Sequence, residues 1–237
     1  MKKLNKLSVC ILCGGRGERL RPLTRNLPKP LIKIKKKEIL SHIVDHLKFN
    51  GFKEILVATG YKHKLIKNFF IKKYKGFNAN IVKTKPNDDI IKRIKSVSKF
   101  VKDDLLICYG DTLTDINIKR LYKFHKKNKS VATISSFQLS TGFGILDINK
   151  KDNLIFKYNE KPNLDIWFNI GYIILDKKII NKIYDFTKFQ YFLNYLVKKK
   201  LAKSFKHKGL HITINTVKEL EEAKKLVSKF EKNKFSI

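Results

Sequence analysis

Three glycines and several cations stand together between residues 14 and 24, directly after an apolar run. The segment reads Gly-Gly-Arg-Gly-Glu-Arg-Leu-Arg-Pro-Leu-Thr, and Pro-Lys-Pro-Leu follows at residues 28–31. Glycine has no Cβ, so backbone N–H groups can approach phosphate oxygens closely, and arginine and lysine add charge-assisted donors. The prolines restrict the backbone of this loop. The composition therefore predicts a binding site for a polyanion.

Two common phosphate-binding loops do not fit this segment. A P-loop has four residues between its glycines and then Gly-Lys-Ser/Thr, an order that does not occur between Gly14 and Thr24. A dinucleotide-binding fingerprint needs a third glycine that opens a helix, but Leu20 stands at that position. A plain surface turn would explain the glycines, but it would not explain so much positive charge beside them.

The segment resembles the opening motif of the sugar-1-phosphate nucleotidyltransferases. The likeness continues through Tyr109-Gly110-Asp111, Glu160-Lys161-Pro162 and Asn169-Ile170-Gly171, and it spans about residues 7–226. Among the subfamilies, Tyr109-Gly110-Asp111 with Asp115-Ile116-Asn117 and Phe143-Gly144 is most similar to the glucose-1-phosphate cytidylyltransferases. The resemblance implies a Rossmann-like, GT-A-like nucleotidyltransferase fold in one catalytic domain over 1–237, with a nucleotide-binding half to about residue 130 and a sugar-binding half after it.

The resemblance also implies a reaction, in which a sugar 1-phosphate attacks the α-phosphorus of a nucleoside triphosphate and releases pyrophosphate. No protein nucleophile is required, because the attacking group is an anion, so the site must align two polyanions and neutralise charge on the leaving group. By resemblance, Arg19 and Lys29 are the catalytic residues. The implied nucleotide contacts are Gly14, Gly15, Gly17, Arg19 and Gly110, the sugar-phosphate contacts are Glu160, Lys161, Asn169 and Gly171, and the Mg²⁺ ligands are Asp111 and Asn215.

The resemblance leaves the two substrates open. CTP with a hexose 1-phosphate is the first choice, and GTP with a heptose or mannose 1-phosphate, or dTTP or UTP with glucose 1-phosphate, are alternatives. The implied role of the NDP-sugar product is as a precursor of surface polysaccharide. The sequence is compatible with a homo-oligomer.

Two positions depart from the family pattern. Relatives usually carry a second metal-binding aspartate before a threonine near the C-terminus, where this chain has Asn215 before Thr216. The glycine-rich turn that contacts the base is replaced by Pro86-Asn87-Asp88-Asp89. A neutral ligand should bind Mg²⁺ more weakly than a carboxylate. These departures favour an alternative, a catalytically weak relative that binds nucleotide or sugar phosphate as a regulatory subunit.

The composition is strongly basic, with 53 lysines and arginines against 20 acidic residues and a formal net charge of +33. A nucleic-acid binder would concentrate that charge in one stripe with interleaved aromatic residues, whereas these lysines occur in every segment, so we expect no nucleic-acid partner. No apolar run approaches the length of a membrane span, and we expect none. Cys10, Cys13 and Cys108 lie in apolar runs and are expected to be buried and unpaired, as in a cytoplasmic protein.

The hydrophobic periods alternate between strand and helix along the first half of the chain. An apolar run at residues 7–13 predicts a buried strand, helical spacing follows at residues 39–47, and the alternation continues to a strand at 105–109. This order predicts an α/β fold with a doubly wound, mostly parallel, mixed sheet flanked by helices. His42 and His46, four residues apart on the first helix, are expected to be ordinary, partly exposed side chains.

Overall fold

A seven-stranded sheet forms the centre of the computed structural model, which describes residue 4 and residues 6–233. The ends of the predicted domain over 1–237 therefore lie outside the described residues. The strands of the sheet are β1 (Leu7–Cys13), β4 (Glu54–Thr59), β5 (Asn78–Lys83), β6 (Asp104–Tyr109), β8 (Ala132–Ser140), β11 (Asn163–Leu175) and β12 (Ala202–Lys206). Their spatial order is β12-β8-β11-β6-β1-β4-β5.

Six of these strands run in one direction and β11 runs against them. β4, β1 and β6 pair in parallel and β5 joins the outer side of β4, whereas β11 pairs antiparallel with both β6 and β8. β12 then pairs in parallel with β8. The predicted fold class, a mostly parallel sheet of mixed type with helices around it, is confirmed.

Three small antiparallel sheets lie outside the main one. They are β2 (Lys33–Ile34) with β3 (Lys37–Glu38), β7 (Thr112–Thr114) with β13 (His211–Thr213), and β9 (Ile145–Ile148) with β10 (Ile155–Asn159). The pair of β7 and β13 links the end of β6 to the C-terminal region.

Helices cover both faces of the main sheet. They are α1 (Ile39–Phe49), α2 (His63–Lys73), α3 (Ile90–Ser98), α4 (Ile118–Lys127), α5 (Lys177–Ile180), α6 (Phe189–Lys198) and α7 (Val217–Asn233). Side chains of β1 alternate between the two cores, because successive residues of a strand point to opposite faces. Val9 and Ile11 pack in the core with α1, α2 and α7, and Cys10 packs in the core with α3 and α6. No helix among the described residues has the length and apolar content needed to span a bilayer.

The first strand occurs at the predicted residues 7–13, and α1 and β6 cover the helical spacing at 39–47 and the strand predicted at 105–109. The short strands β7, β12 and β13 were not predicted. β12 reads Ala-Lys-Ser-Phe-Lys, and its side chains remain partly exposed at the edge of the sheet. Such a strand lacks a continuous apolar run, so its pairing with β8 is decided by tertiary packing.

The prediction for the two helix histidines was wrong. His42 and His46 are 1% and 0% exposed. The His46 ring nitrogen Nε2 lies 3.1 Å from the Ile116 carbonyl, and His42 Nδ1 lies 3.4 Å from a carboxylate oxygen of Glu231 on α7. α7 covers this face of α1, a contact between elements that are far apart in sequence and that helical spacing alone could not reveal.

All three cysteines are buried and unpaired, as predicted. Cys10 and Cys13 belong to different cores and therefore lie on opposite faces of β1. Burial raises the pKa of the Cys10 thiol to about 12 and holds those of Cys13 and Cys108 well above their usual value. These thiols are thus neutral packing groups, since only the thiolate is a good nucleophile or metal ligand.

Candidate active site

The glycine-rich loop and Asp111 meet at one edge of the sheet because of the strand order. The chain passes from β1 outward to β4 and β5 and then returns to the other side of β1 as β6. Ligands of such sheets bind beyond the carboxyl ends of the strands, where the order reverses. The loop leaves β1 at Gly14, Asp111 follows β6, and the Gly110 N–H donates to the Leu12 carbonyl at 3.1 Å.

Lys29 joins these two segments directly. Its Nζ lies 2.5 Å from Asp111 Oδ2 and 2.9 Å from Asn215 Oδ1. The lysine is 9% exposed, which is unusual for this residue type, and Asp111 is partly buried. Two oxygens from distant parts of the chain thus converge on one cation. The structure brings together Lys29, Asp111 and Asn215, three residues that the family resemblance indicated.

Asn215 is held in place by the C-terminal segment. β13 pairs with β7, and the Ile214 N–H donates to the Asp111 carbonyl at 3.3 Å. A capping box then starts α7, because the Glu219 carboxylate accepts from the Thr216 N–H at 2.8 Å and Thr216 Oγ1 accepts from the Glu219 N–H at 3.2 Å. Asn215 Nδ2 donates to Thr213 Oγ1 at 3.1 Å, which turns its carbonyl oxygen toward Lys29.

The remainder of the glycine-rich loop is open to solvent on one side. Gly15 and Arg19 are exposed, and Arg19 has no hydrogen-bond or ion-pair partner within the part of the chain that the structure describes. Gly17 has a φ of 64°, and its carbonyl accepts from Thr24 Oγ1 at 2.8 Å. Exposed amides and a free guanidinium beside a partly buried Lys29 suit an anionic ligand.

Arg93 supports this loop from inside and was missed by the sequence reasoning. Arg93 is 4% exposed, and its guanidinium donates to the carbonyls of Gly14 and Pro86, both at 3.1 Å, and to Thr84 Oγ1 at 2.6 Å. Burial is the main cause that lowers the pKa of Arg93. The only signal in the sequence was the position of this arginine on the apolar face of α3. Many partly exposed arginines occupy such positions, so the position did not indicate a buried guanidinium.

Gly14 is adapted to this arginine. A Cβ at residue 14 would lie 1.5 Å from Arg93 Nη1, whereas a Cβ at Gly15 would meet nothing within 4 Å. The glycine at position 14 therefore makes room for the guanidinium. Arg93 ties the glycine-rich loop to the loop at residues 84–86.

The segment that replaces the family's glycine-rich turn is well ordered by its own polar side chains. The Asp89 carboxylate caps α3 by accepting from the Ile91 N–H at 2.9 Å, and it also accepts from the Phe189 N–H at 2.8 Å. Asn87 Oδ1 accepts from Arg16 Nε at 3.0 Å, so this turn contacts the glycine-rich loop. Asp89 therefore has a structural role at the start of α3.

Tyr109 connects the nucleotide half to the predicted sugar-binding turn. Burial raises the pKa of Tyr109 to about 12, and the nearby Asn169 side chain opposes that shift. Asn169 Oδ1 accepts from the Gly171 N–H at 2.8 Å. Gly171 has a φ of 76°, and a Cβ there would lie 2.5 Å from the Tyr109 ring, so only glycine fits.

Glu160 bonds to Lys161 and to Tyr158. Both side chains are exposed and pair with each other at 3.5 Å, and the Tyr158 hydroxyl donates to the Glu160 carboxylate. No hydrogen bond or ion pair between described residues joins Glu160 or Lys161 to Lys29, Asp111 or Asn215. The structure thus leaves both charges accessible beside β10.

The chain is similar to proteins of known family and structure. The family model described as nucleotidyl transferase matches residues 8–219. Glucose-1-phosphate cytidylyltransferase of Salmonella typhimurium is 31% identical over 202 residues, which cover 75% of this chain and 78% of the relative. D-glycero-alpha-D-manno-heptose 1-phosphate guanylyltransferase of Campylobacter jejuni is 31% identical over 178 residues, which cover 74% and 78%. The solved structure of HddC from Yersinia pseudotuberculosis complexed with GMP-PN has a TM-score of 0.73 and 25% identity, and the match covers 93% of this chain and 99% of that one.

Proposed function

The chain belongs to the nucleotidyl transferase family as a sugar-1-phosphate nucleotidyltransferase, and from that premise we propose how its own residues perform the reaction. The contact of Lys29 with Asp111 carries the proposal. It joins the polyanion loop to a carboxylate that follows the neighbouring strand, at 2.5 Å between Nζ and Oδ2. We further propose that the enzyme acts in the cytoplasm and supplies NDP-sugars for surface polysaccharide.

Lys29 and Arg19 are proposed to stabilise the negative charge that the transfer develops. The backbone N–H groups of the exposed Gly15 and the half-buried Gly17 bind the triphosphate, and the guanidinium of Arg19 neutralises the leaving pyrophosphate. The partly buried ammonium of Lys29 reaches the α-phosphate, where a low local dielectric strengthens its attraction for the reacting oxygens. The sugar phosphate needs no activating base, so the site acts through alignment and charge.

The donor set at Asp111 and Asn215 fits a hard divalent cation. A carboxylate oxygen and an amide oxygen already converge on the Lys29 ammonium, at 2.5 and 2.9 Å. Magnesium prefers such oxygen ligands and commonly shares them with substrate phosphates. When bound, Mg²⁺ would neutralise phosphate charge as a Lewis acid. Asp111 and Asn215 would hold the ion, and the ammonium of Lys29 beside them would bind the α-phosphate.

The sugar half is proposed to bind the second substrate. Asn169 and Gly171 form a turn against the Tyr109 ring, and the exposed charges of Glu160 and Lys161 suit contacts with sugar hydroxyls and with the sugar phosphate. CTP with a hexose 1-phosphate is our first choice of substrates. The alternatives are GTP with a heptose or mannose 1-phosphate, and dTTP or UTP with glucose 1-phosphate.

A pyrophosphate-release screen of the four NTPs against glucose, mannose and heptose 1-phosphates, with Mg²⁺ or Mn²⁺, tests the substrate assignment. One pair should release pyrophosphate much faster than the others. Lys29→Ala and Arg19→Ala should each lower kcat/KM by about 10²–10³, the scale for loss of one preorganised donor. Lys33→Ala and Arg120→Ala remove exposed cations elsewhere and should leave kcat/KM unchanged. Equal losses in the control variants would contradict the assigned roles.

A regulatory, catalytically weak subunit is the second candidate, and Asn215 is the observation that favours it. The neutral amide leaves Asp111 as the one carboxylate of the proposed ligand pair. This candidate predicts no pyrophosphate release with any substrate pair in the screen, together with a nucleotide-dependent rise in the melting temperature. Turnover with any NTP and sugar phosphate pair would contradict it.

A further inference from the structure

The side chain of His125 on α4 is buried with one ring nitrogen unsatisfied. The residue is 1% exposed, and its Nδ1 lies 2.9 Å from Thr133 Oγ1 on β8. Nε2 has no hydrogen-bond partner among the described residues. Native proteins seldom leave a buried polar side-chain atom without a partner. One nitrogen therefore fixes the orientation of the ring, and the other is available to a ligand.

Two carboxylates lie beside this nitrogen. One ligand atom from each of Asp104, His125 and Asp176 lies within 4.8 Å of the other two. Asp104 is 4% exposed at the start of β6, and its Oδ2 is 4.0 Å from His125 Nε2, which is too long for a hydrogen bond. Asp176, between β11 and α5, is half-buried, and its Oδ1 accepts from the Lys178 N–H at 2.8 Å. The group is thus assembled from three separate segments without direct bonds between its members.

We propose that Asp104, His125 and Asp176 form a binding site for a divalent transition-metal ion such as Zn²⁺. An imidazole nitrogen with carboxylate oxygens is a donor set typical of Zn²⁺, whereas Mg²⁺ and Ca²⁺ take oxygen ligands. In a tetrahedral site with bonds of about 2.1 Å, the ligand atoms lie about 3.4 Å apart, so small side-chain rotations would complete the set. Water would supply the fourth ligand.

Thr133 provides the outer contact that such a site needs. A metal-bound histidine usually donates its other ring N–H to an oxygen, which orients the ring toward the ion. With the proton on Nδ1, His125 donates to Thr133 Oγ1, and the Nε2 lone pair is directed at the ion. Thr133 is itself 0% exposed, so the orientation of the ring is protected from water.

Lys126 competes with an ion for Asp104. Its Nζ donates to Asp104 Oδ2 at 3.0 Å, and its side chain is 54% exposed. The Tyr122 hydroxyl donates to the same oxygen at 3.0 Å, and the Lys177 N–H donates to Oδ1 at 3.3 Å. These two neutral donors can remain when an ion binds, because each carboxylate oxygen has more than one lone pair. The ammonium repels a divalent cation, so Lys126 must turn into solvent and lowers the affinity of the site.

The metal site lies far from the nucleotide site. Asp104 begins β6 and Asp111 follows its other end, and a strand of this length spans about 20 Å. An ion at Asp104 would join the start of β6 to α4 and to the turn before α5. Because the unfolded chain does not hold these segments together, the ion should stabilise the folded chain. The test therefore requires no turnover.

Isothermal titration of the full chain with Zn²⁺ or Co²⁺, in excess Mg²⁺, tests the proposal. One ion should bind per chain, and Co²⁺ should give a visible absorption band. His125→Gln and Asp176→Asn should each weaken binding about tenfold or more. Asparagine retains the cap of α5, so Asp176→Asn should remain folded even if His125→Gln does not. His63→Gln changes a partly exposed histidine on α2 and is the matched control, which should bind as wild type.

Two further variants test the geometry. Lys126→Ala removes the competing ammonium and should tighten Zn²⁺ binding severalfold, whereas Lys127→Ala, which removes the next exposed lysine, should not. Asp111→Asn should leave the Zn²⁺ titration unchanged, which separates this site from the nucleotide site. At a hundredfold excess of Zn²⁺ over its dissociation constant, the wild-type melting temperature should rise by about 5–10 °C.

Several results would overturn the proposal. The first is a wild-type chain that binds neither Zn²⁺ nor Co²⁺, which would make His125 a buried packing residue. Binding that persists in both His125→Gln and Asp176→Asn would place the ion elsewhere, as would its loss in Asp111→Asn. Weaker binding in Lys126→Ala would contradict the competition at Asp104.

Discussion

Replacing Gly14 with alanine should destabilise the protein because of one buried side chain. The added Cβ would lie 1.5 Å from Arg93 Nη1 and 2.1 Å from Cζ, so the guanidinium must leave its position. It would lose its hydrogen bonds to the Gly14 and Pro86 carbonyls and to Thr84 Oγ1. Loss of the partners of a buried charge costs about 3–5 kcal/mol. For a chain of this size, each kcal/mol lowers the melting temperature by about 2–4 °C, so we expect a decrease on the order of 10 °C.

The adjacent glycine provides the matched control for this experiment. Gly15→Ala places its Cβ in open space, and we expect a change within about 0.5 kcal/mol in the free energy of unfolding. Urea denaturation and thermal melting of both variants measure the difference between them.

A double-mutant cycle identifies the cause. Arg93→Ala removes the clashing group, so Gly14→Ala in that background should cost less than about 1 kcal/mol, and the coupling energy should account for most of the single-mutant loss. The reasoning is refuted if Gly14→Ala and Gly15→Ala melt at the same temperature. It is also refuted if Gly14→Ala lowers the free energy of unfolding by the same amount in the Arg93→Ala background as in the wild type. Either result would mean that the guanidinium does not determine the glycine at this position.

Three further predictions concern the site and its supports. Asn215→Asp adds a carboxylate beside Asp111 and should lower the Mg²⁺ concentration for half-maximal pyrophosphate release about tenfold. A unit charge at about 4 Å contributes about 1 kcal/mol or more. The remote Asn181→Asp should leave this Mg²⁺ concentration unchanged. Thr216→Ala removes the cap of α7 and should lower the free energy of unfolding by about 1 kcal/mol in urea denaturation. Thr216→Ser keeps the hydroxyl cap and should leave that free energy unchanged. Burial lowers the pKa of His211 from 6.5 to about 4, so the unfolded chain binds a proton between these values that the folded chain does not. Stability should therefore be complete above pH 6.5 and decrease by about 2 kcal/mol between pH 6.5 and pH 5. His211→Gln should remove that part of the decrease, and an equal decrease in the variant would contradict the assignment.

The elements that could be predicted from the sequence are those with strong local signals. The apolar run at residues 7–13 predicted β1, because a strand covered on both faces needs apolar side chains throughout. The glycines and cations after it predicted an anion site, since their chemistry depends little on the rest of the fold. Lys29 and Asp111 were assigned through the family resemblance. Their separation along the chain gave no indication that their side chains are in contact.

The tertiary structure decided the features that depend on residues far apart in sequence. Arg93 is an ordinary helix residue until α3 packs beside β1 and β4, where its guanidinium meets the Gly14 and Pro86 carbonyls. The burial of His42 depends on α7, nearly 190 positions later in the chain. Asn215 reaches Lys29 because β13 pairs with β7. Local sequence determines which chemical groups are available, and only the packing of distant segments determines which of them meet, since burial and hydrogen bonding depend on distance in space.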